Sequence, residues 1–497
     1  MAARAANPKR GTYMSKGRFY LDEHGCAKNQ VDGEEIAVRL ESSGWTWADS
    51  ADEADLIIVN SCGFIDDAKK ESIDAVMGWK ASYPGKKVIL AGCLAQRYAT
   101  ELAEGLPEAD GIVGNTDLSA VVRAADEVGS GSRPVILGRP ESAPVSGTVR
   151  RTRLLDFPGT AHVKITEGCS NRCTYCAIPL IRGPLRSRPL PEIVEECAWL
   201  VSRGARELVL IGQDLGSFGM DSGARPLLPD LLEALADPSA VPGDFRVRTL
   251  YIHPDNFPKG ILPVIKASPR LLPYFDLPFQ HASEPILRAM NRRGSAAAYL
   301  DLVRGIRDAL PDSVIRSTFL VGFPGETEED FAVLRDFQEE AELDWLGAFT
   351  YSREEGTPAY GMKGRVAKKA ADARKKAVEE AQERITSKRL ARFVGRELDV
   401  LVEERVETRA CGDTAGSAPS GAAADEPGAD GGDEPLSLGR AWLQAPEVDG
   451  LSVLRGDFQP GSLVRARVLS VNGVDFDCMP VGALSGGRQG GPEPGKA

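Results

Sequence analysis

No stretch of this chain is apolar for long enough to cross a membrane. Its first residues, MAARAANPKRGTYMSKG, carry basic side chains but lack the apolar core of a secretory leader. A cytoplasmic protein without membrane association is therefore expected. Neither a Walker loop nor a GxGxxG fingerprint occurs, which removes the two commonest glycine-rich phosphate cradles. Cations are in deficit: 60 Lys and Arg stand against 72 Asp and Glu, for a formal net charge of −12. Proteins that grip nucleic acid by neutralising phosphates usually carry a basic face, so this balance favours a basic protein partner over an RNA duplex. Nine cysteines in a chain with no leader signature point to reduced thiols and metal ligation rather than disulfides.

At 497 residues and 42% hydrophobic composition, the chain suffices for about three domains with sizeable cores. Residues 17–128 read as strand–helix repeats, with apolar runs at 18–21, 56–59 and 88–91. A Gly/Ser/Pro-containing connection near 126–150 separates this α/β unit from a second, 155–386. Strands are expected there at 162–166, 207–211, 247–252, 274–279, 314–322 and 345–351. Helices are expected between them at 191–203, 284–291 and 328–342. Six strand–helix units predict a partial (β/α)6 barrel with its chemistry on the carboxyl-end loops. The Lys-, Ala-, Arg- and Glu-rich stretch 364–392 predicts one long connecting helix. Short strands at 397–402, 437–441, 463–469 and 474–478 predict a small β-barrel over 388–485. An acidic Gly/Ala/Ser/Pro-rich stretch at 412–435, without Lys or Arg, reads as a disordered insertion, and 485–497 as a disordered tail.

The densest chemical signal is Gly168-Cys169-Ser170-Asn171-Arg172-Cys173-Thr174-Tyr175-Cys176. Three thiols in the spacing CxxxCxxC supply three ligands for a four-iron cluster, which normally takes four. No further cysteine follows for twenty residues, so one iron stays open to a substrate or cofactor. This spacing resembles the signature of the radical S-adenosylmethionine proteins. A structural zinc site normally takes four ligands, usually as separated Cys pairs, and fits less well. A second set lies in the first domain, where each apolar run ends in a cysteine: Gly25-Cys26, Ser61-Cys62 and Gly92-Cys93. Ligands of open α/β sheets bind outside the carboxyl ends of the strands. Three thiols at three such ends therefore predict a second open three-thiol site, although a lone buried Cys is ordinarily just a small hydrophobe.

Weaker signals surround these. Leu210-Ile211-Gly212-Gln213-Asp214 ends a barrel strand, so Gly212 and Gln213 are candidates for contact with the methionyl part of the cofactor, a tight turn being the plainer reading. Arg182, Arg186 and Arg188 could bind a carboxylate or phosphate, but a solvated basic loop is the better expectation. His281 reads as a hydrogen-bonded structural residue and Thr327 as a helix N-cap. Cys197, Cys411 and Cys478 have no partner in the pattern and read as structural.

Both triads in this order, followed by a small β-domain, resemble the methylthiotransferases. The likeness runs from about Arg18 to Val481. Within the family it leans toward the branch that modifies an aspartate of the twelfth protein of the small ribosomal subunit. The residues carrying that lean are Asn60-Ser61-Cys62-Gly63-Phe64-Ile65-Asp66-Asp67-Ala68, Gly92-Cys93-Leu94-Ala95-Gln96-Arg97-Tyr98, Ile181-Arg182-Gly183-Pro184 and Asp276-Leu277-Pro278-Phe279-Gln280-His281-Ala282-Ser283. His24-Gly25-Cys26-Ala27-Lys28-Asn29 departs from a pattern that more often carries Leu and Pro.

The resemblance implies an N-terminal cluster domain, a radical SAM barrel and a C-terminal TRAM domain. It implies a [4Fe-4S] cluster on Cys169, Cys173 and Cys176 that binds S-adenosylmethionine, and an auxiliary [4Fe-4S] cluster on Cys26, Cys62 and Cys93 that carries the sulfur. A radical is implied because the β C–H of aspartate is too weakly acidic for base chemistry. Implied partners are the small-subunit ribosomal protein, an electron donor of flavodoxin or ferredoxin type and a sulfur donor whose class the sequence does not reveal. A monomer is expected. Two alternatives stay open at this stage: methylthiolation of a tRNA adenosine, and a non-catalytic ribosome-associated iron–sulfur protein. From residue 395 onward nine Lys or Arg face seventeen Asp or Glu, which does not favour the tRNA reading.

Overall fold

Leu56-Ile57-Ile58-Val59-Asn60-Ser61 is buried along its whole length, as a central strand of a parallel sheet covered on both faces must be. Ile58 faces one apolar layer with Phe19, Leu21 and Ile89, while Ile57 and Val59 face another with Val88 and Leu90. The computed structural model, which describes residues 16–142, 149–406 and 435–481, builds three bodies from such elements.

The first is a six-stranded sheet of β1 (Gly17–Glu23), β2 (Trp45–Trp47), β3 (Leu56–Ser61), β4 (Lys87–Gly92), β5 (Gly111–Gly114) and β6 (Val135–Ile136). Its order is β2-β1-β3-β4-β5-β6 and every pair is parallel. Helices α1 (Ala27–Ser42), α2 (Asp66–Ser82) and α3 (Cys93–Arg97) follow β1, β3 and β4. The three expected strands are therefore adjacent. β2, β5 and β6 were not anticipated: with three, four and two residues they are too short for a run of apolar residues to announce them. β6 falls inside the stretch read as a connection.

The second body holds β7 (Thr160–Lys164), a two-stranded ribbon of β8 (Thr166–Glu167) and β9 (Arg186–Ser187), then β10 (Glu207–Ile211), β11 (Arg246–Thr249), β12 (Leu271–Asp276), β13 (Val314–Val321) and β14 (Trp345–Thr350). β7, β10, β11, β12, β13 and β14 pair in chain order, all parallel, and form an open sheet. Its helix layer includes Leu190–Ser202, Leu228–Ala236, Ala296–Ala309 and Glu328–Ala341. Thr327 caps the last of these in a reciprocal box with Asp330. Strand β12 starts three residues before the expected position and spans Pro273. The proline is accommodated because the β11–β12 register slips between Val247 and Thr249. β11 ends at Thr249 rather than at Ile252, because Tyr251 adopts φ +65° and turns the chain out of the sheet.

Helix Lys368–Leu390 leads to a closed barrel of β15 (Glu397–Val406), β16 (Leu436–Ala441), β17 (Ser452–Arg455), β18 (Leu463–Asn472) and β19 (Asp475–Pro480). This barrel docks on the amino-terminal side of the second sheet. Arg440 reaches Glu207 and Thr160, Trp345 Nε1 donates to the Leu443 carbonyl, and Tyr274 Oη donates to Asp449. Cys197 and Cys478 are buried in cores. The acidic segment (apart from Pro435), the tail 485–497 and Cys411 lie outside the described residues. Among the described residues no helix is long and apolar enough to cross a membrane.

Candidate metal centres at two facing strand rims

Cys26, Cys62 and Cys93 stand at the carboxyl ends of the neighbouring strands β1, β3 and β4. Their loops are drawn together by backbone shape and by two asparagines. Gly25 sits at φ +102°, and a Cβ there would lie 3.2 Å from the Cys62 sulfur, so only glycine lets the first loop lie against the second. Asn29 Nδ2 donates to the carbonyls of His24 (2.7 Å) and Asn60 (3.0 Å), and Asn60 Nδ2 returns a bond to the Asn29 carbonyl (2.8 Å). Cys26 opens α1, its carbonyl accepting from the N–H groups of Asn29 and Gln30.

Cys26 is exposed, Cys62 half-buried and Cys93 buried. Burial pushes the Cys93 thiol up to about 12 despite the Arg182 guanidinium, and pushes the Cys62 thiol up against the Phe64 N–H. Although its surface is open, the protein crowded around Cys26 also opposes its ionisation, but there Lys28, Arg182 and the N–H groups of Asn29 and Lys28 outweigh it and lower the thiol. N–H donors aim at the Cys93 sulfur from Arg182 Nη2 (3.2 Å) and Asn115 Nδ2 (3.3 Å).

Cys169, Cys173 and Cys176 lie in the loop between β8 and helix Ile178–Arg182. Gly168, at φ +71°, allows the entry: a Cβ would collide with the Pro184 carbonyl at 2.0 Å. Asp214, 1% exposed, fixes the loop from the next strand. Its Oδ2 accepts from Asn171 (2.8 Å), Asn256 (2.8 Å) and Ser217 (2.6 Å), and its Oδ1 from the N–H groups of Gly216 and His253. Asn291 donates to the carbonyls of Asn171 and Arg172 from the far side. Burial pushes the thiols of Cys169 and Cys176 to about 12, each eased by a loop N–H. His253 Nε2 lies 3.9 Å from the Cys173 sulfur. Burial, then Arg292 and Arg293, drive this imidazole down to about 2, so it stands neutral.

Arg182 ties the rims together. Buried to 3% exposure, it donates to Glu167 (2.8 Å), to Asp32 of α1 (2.8 Å) and to the Cys93 sulfur. Lys164 pairs with the same two carboxylates. The expectation of a solvated basic loop is thus corrected for Arg182, because its partners come from another domain. Arg188 is likewise engaged, with Glu196 (2.6 Å). On the outer wall, Glu354, 3% exposed, accepts from Lys69 (2.9 Å) and Arg97 (2.7 Å) of the first domain.

Gly212 packs against Thr166, whose Oγ1 would meet an added Cβ at 2.1 Å. Both side-chain heteroatoms of Gln213 are shielded from solvent and have no hydrogen-bond partner. A shielded amide without a partner is costly, and both groups stay free to bond a ligand. His281 is fully buried, its Nδ1 accepting from the Ser283 N–H, as expected of a structural residue. Asp32, Asn115, Asp214 and His253 were not singled out from sequence. Asp214 and Asn171 stand inside the motifs already quoted, but nothing in the one-dimensional pattern joins them.

Among the described residues no three His, Cys, Asp or Glu side chains converge closely enough to hold a single ion. The N–H groups aimed at the Cys93 sulfur favour its thiolate, the form in which a cysteine takes a corner of an iron–sulfur cluster.

Residues 18–114 match the model of an uncharacterized protein family, UPF0004, and residues 163–337 match the radical SAM superfamily. A protein of Treponema denticola named ribosomal protein uS12 methylthiotransferase RimO is 45% identical over 491 residues, covering 93% of this chain and 100% of its own. Its namesake in Saccharopolyspora erythraea is 38% identical, covering 96% and 97%, and that of Geobacter sulfurreducens 39%, covering 93% and 98%. Among solved structures, the radical S-adenosylmethionine methyltransferase TsrM from Kitasatospora setae superposes with a TM-score of 0.51 at 15% identity, over 69% of this chain and 74% of that one. At that identity the likeness is one of fold.

Proposed function

The chain belongs to the family of ribosomal protein uS12 methylthiotransferases and is a radical SAM transferase, and we propose that it adds a methylthio group to the β-carbon of an aspartate of uS12. In this reading Cys169, Cys173 and Cys176 hold the [4Fe-4S] cluster that binds S-adenosylmethionine, with Gly212 and Gln213 against the cofactor. Cys26, Cys62 and Cys93 hold the auxiliary [4Fe-4S] cluster. Bound there, the two clusters supply the electron that cleaves the cofactor and the seat of the transferred sulfur. Residues 17–128, 155–386 and 388–485 form the cluster, radical SAM and TRAM domains of a monomer working in the cytoplasm, with a flavodoxin- or ferredoxin-type electron donor.

The observation that carries the reading is Arg182, which ends the helix following Cys176 and donates to Asp32 and to the Cys93 sulfur of the first domain. The chain's own part is positional. Asp214, through Asn171 and Asn256, holds the second triad's loop to β10 and β11. Arg182, Asp32, Lys164 and Glu167 form one charge-balanced seam that fixes the distance between the rims. The small barrel agrees with a protein substrate. Its cations Arg396, Arg405, Arg455, Arg465 and Arg467 each have a carboxylate within 3.6 Å, leaving few free charges for phosphates.

The test is a deletion strain analysed by mass. Loss of a methylthio group from uS12 with unchanged tRNA nucleosides is expected. Normal uS12 beside missing methylthioadenosine would overturn the reading.

A further inference from the structure

Between the two rims stands a cation that has no carboxylate partner among the described residues. Most cations lining this gap are engaged: Arg182 and Lys164 with Asp32 and Glu167, Arg316 with Asp276 and Asp449, Arg292 with the carbonyls of Pro278 and Phe279. Lys28 differs. It is 8% exposed, and among the described residues it makes no hydrogen bond or ion pair. Its Nζ instead rests 3.6 Å from the centroid of the Tyr251 ring. An aromatic face offsets only part of what it costs to withdraw an ammonium from water. An anion seated beside it would complete the pairing.

Its place identifies the ligand's chemistry. Lys28 follows Cys26 by two residues, and Tyr251 precedes His253 by two, whose Nε2 is 3.9 Å from the Cys173 sulfur. The ammonium therefore stands on the path from one triad to the other. Tyr251 is held there in the left-handed region at φ +65°, its N–H donating to Asp276 (3.1 Å) and its carbonyl accepting from Leu215. A non-glycine residue kept in that conformation is strained, and such strain gathers at functional positions. The carboxylates here, Asp32, Glu167 and Asp276, already have Arg182, Lys164 and Arg316 as partners, which leaves Lys28, among these cations, the one without a carboxylate.

The geometry points to Lys28 as the residue that receives the side-chain carboxylate of the aspartyl substrate, holding the adjacent β-carbon between the two triads. This rests on the proposed function and deepens it. It makes Lys28 a determinant of acid over amide, since an asparagine in the same place presents no charge to the ammonium.

The test uses the anaerobically reconstituted full-length protein, with isolated uS12 and uS12 carrying Asn in place of its target Asp. Wild type should bind the Asp form about 30-fold more tightly than the Asn form, the loss expected when a desolvated charge pair forfeits one partner. In Lys28→Met the difference should shrink to within about threefold, whereas Lys28→Arg, which keeps the charge, should retain most of it. A preference undiminished in Lys28→Met overturns the inference. So does equal weakening of both forms with loss of iron, which would make Lys28 a support of Cys26 rather than a receptor of substrate. Wild type that neither binds nor modifies uS12 removes the proposed function itself, and this inference with it.

Discussion

Replacing Glu207 by Gln should weaken the whole molecule although no thiol is near the change. Glu207 opens β10, is fully buried, and accepts from Arg246 Nε (2.6 Å), Arg248 Nε (2.8 Å) and Arg440 Nη1 (3.2 Å). After the substitution Arg440 still has Glu403 and Arg246 still has two carbonyls. Arg248 has nothing comparable: its Nη1 and Nη2 already lack partners, and only the Tyr274 ring lies against it. Removing one side of a buried ion pair costs about 3–5 kcal/mol, because the remaining charge stays desolvated. At an m-value of about 3 kcal/mol/M, that moves the urea midpoint down by about 1–1.7 M. The shift should be read by far-UV circular dichroism at neutral pH. Burial alone would raise the Glu207 carboxyl, but the three arginines hold it well below the usual carboxylate range. Its contribution is therefore complete above the unfolded value of about 4.3 and is lost as the pH falls through the lower, folded one. The variant should lack that part of the acid-induced loss. Arg467→Ala, which breaks the exposed pair with Glu397, serves as the control and should leave the midpoint in place. Equal midpoints for the two variants would refute the reasoning.

Replacing Cys169, Cys173 and Cys176 by Ala should leave about half of roughly eight irons per chain after anaerobic reconstitution; complete loss, or no loss, contradicts two independent sites. With Cys26, Cys62 and Cys93 replaced instead, the reduced protein should still release 5′-deoxyadenosine from S-adenosylmethionine but transfer no methylthio group, as followed by chromatography and by substrate mass. Gln213→Ala should raise the KM for S-adenosylmethionine about tenfold, the value of one to two hydrogen bonds, and an unchanged KM would remove Gln213 from the cofactor site. Glu354→Gln should weaken the hold of the first domain by about 2–3 kcal/mol, seen as faster limited proteolysis at that seam, because Lys69 and Arg97 lose their shared carboxylate.

Much of this was legible in the residues because the thiols end strands. An apolar run closed by cysteine, as in 56–62 or 88–93, marks both the strand and its carboxyl end, and parallel pairing then brings Cys26, Cys62 and Cys93 to one edge. CxxxCxxC needs no folding to be recognised, since its ligands are local. What could not be read has one physical cause: meaning supplied by a distant partner. Arg182 looks solvated until Asp32 and Cys93 arrive from another domain. Lys28 is an ordinary lysine of the first helical turn until Tyr251 is folded over it. Strands β5 and β6 exist because a neighbour offers them a ladder; four and two residues carry no signal of their own. Pro273 argues against strand until the β11–β12 register slips around it.

The docking of the small barrel has a consequence for scale. It holds the first residues of β7, β10, β11 and β14, at Thr160, Glu207, Arg246 and Trp345, and reaches further along β12 and β13 only at Tyr274 and Arg316, while Cys169, Cys173 and Cys176 follow the far end of β7. At about 3.3 Å per residue, the four steps from Glu207 to Ile211 of β10 alone set the two ends about 13 Å apart. Arg440 and Leu443 of the barrel therefore stand a strand's length from the sheet edge that carries the thiols. Whatever it senses lies elsewhere on the partner, and a molecule that meets both ends must itself be at least that long. A free amino acid is too small to be held at both ends; a folded protein is not.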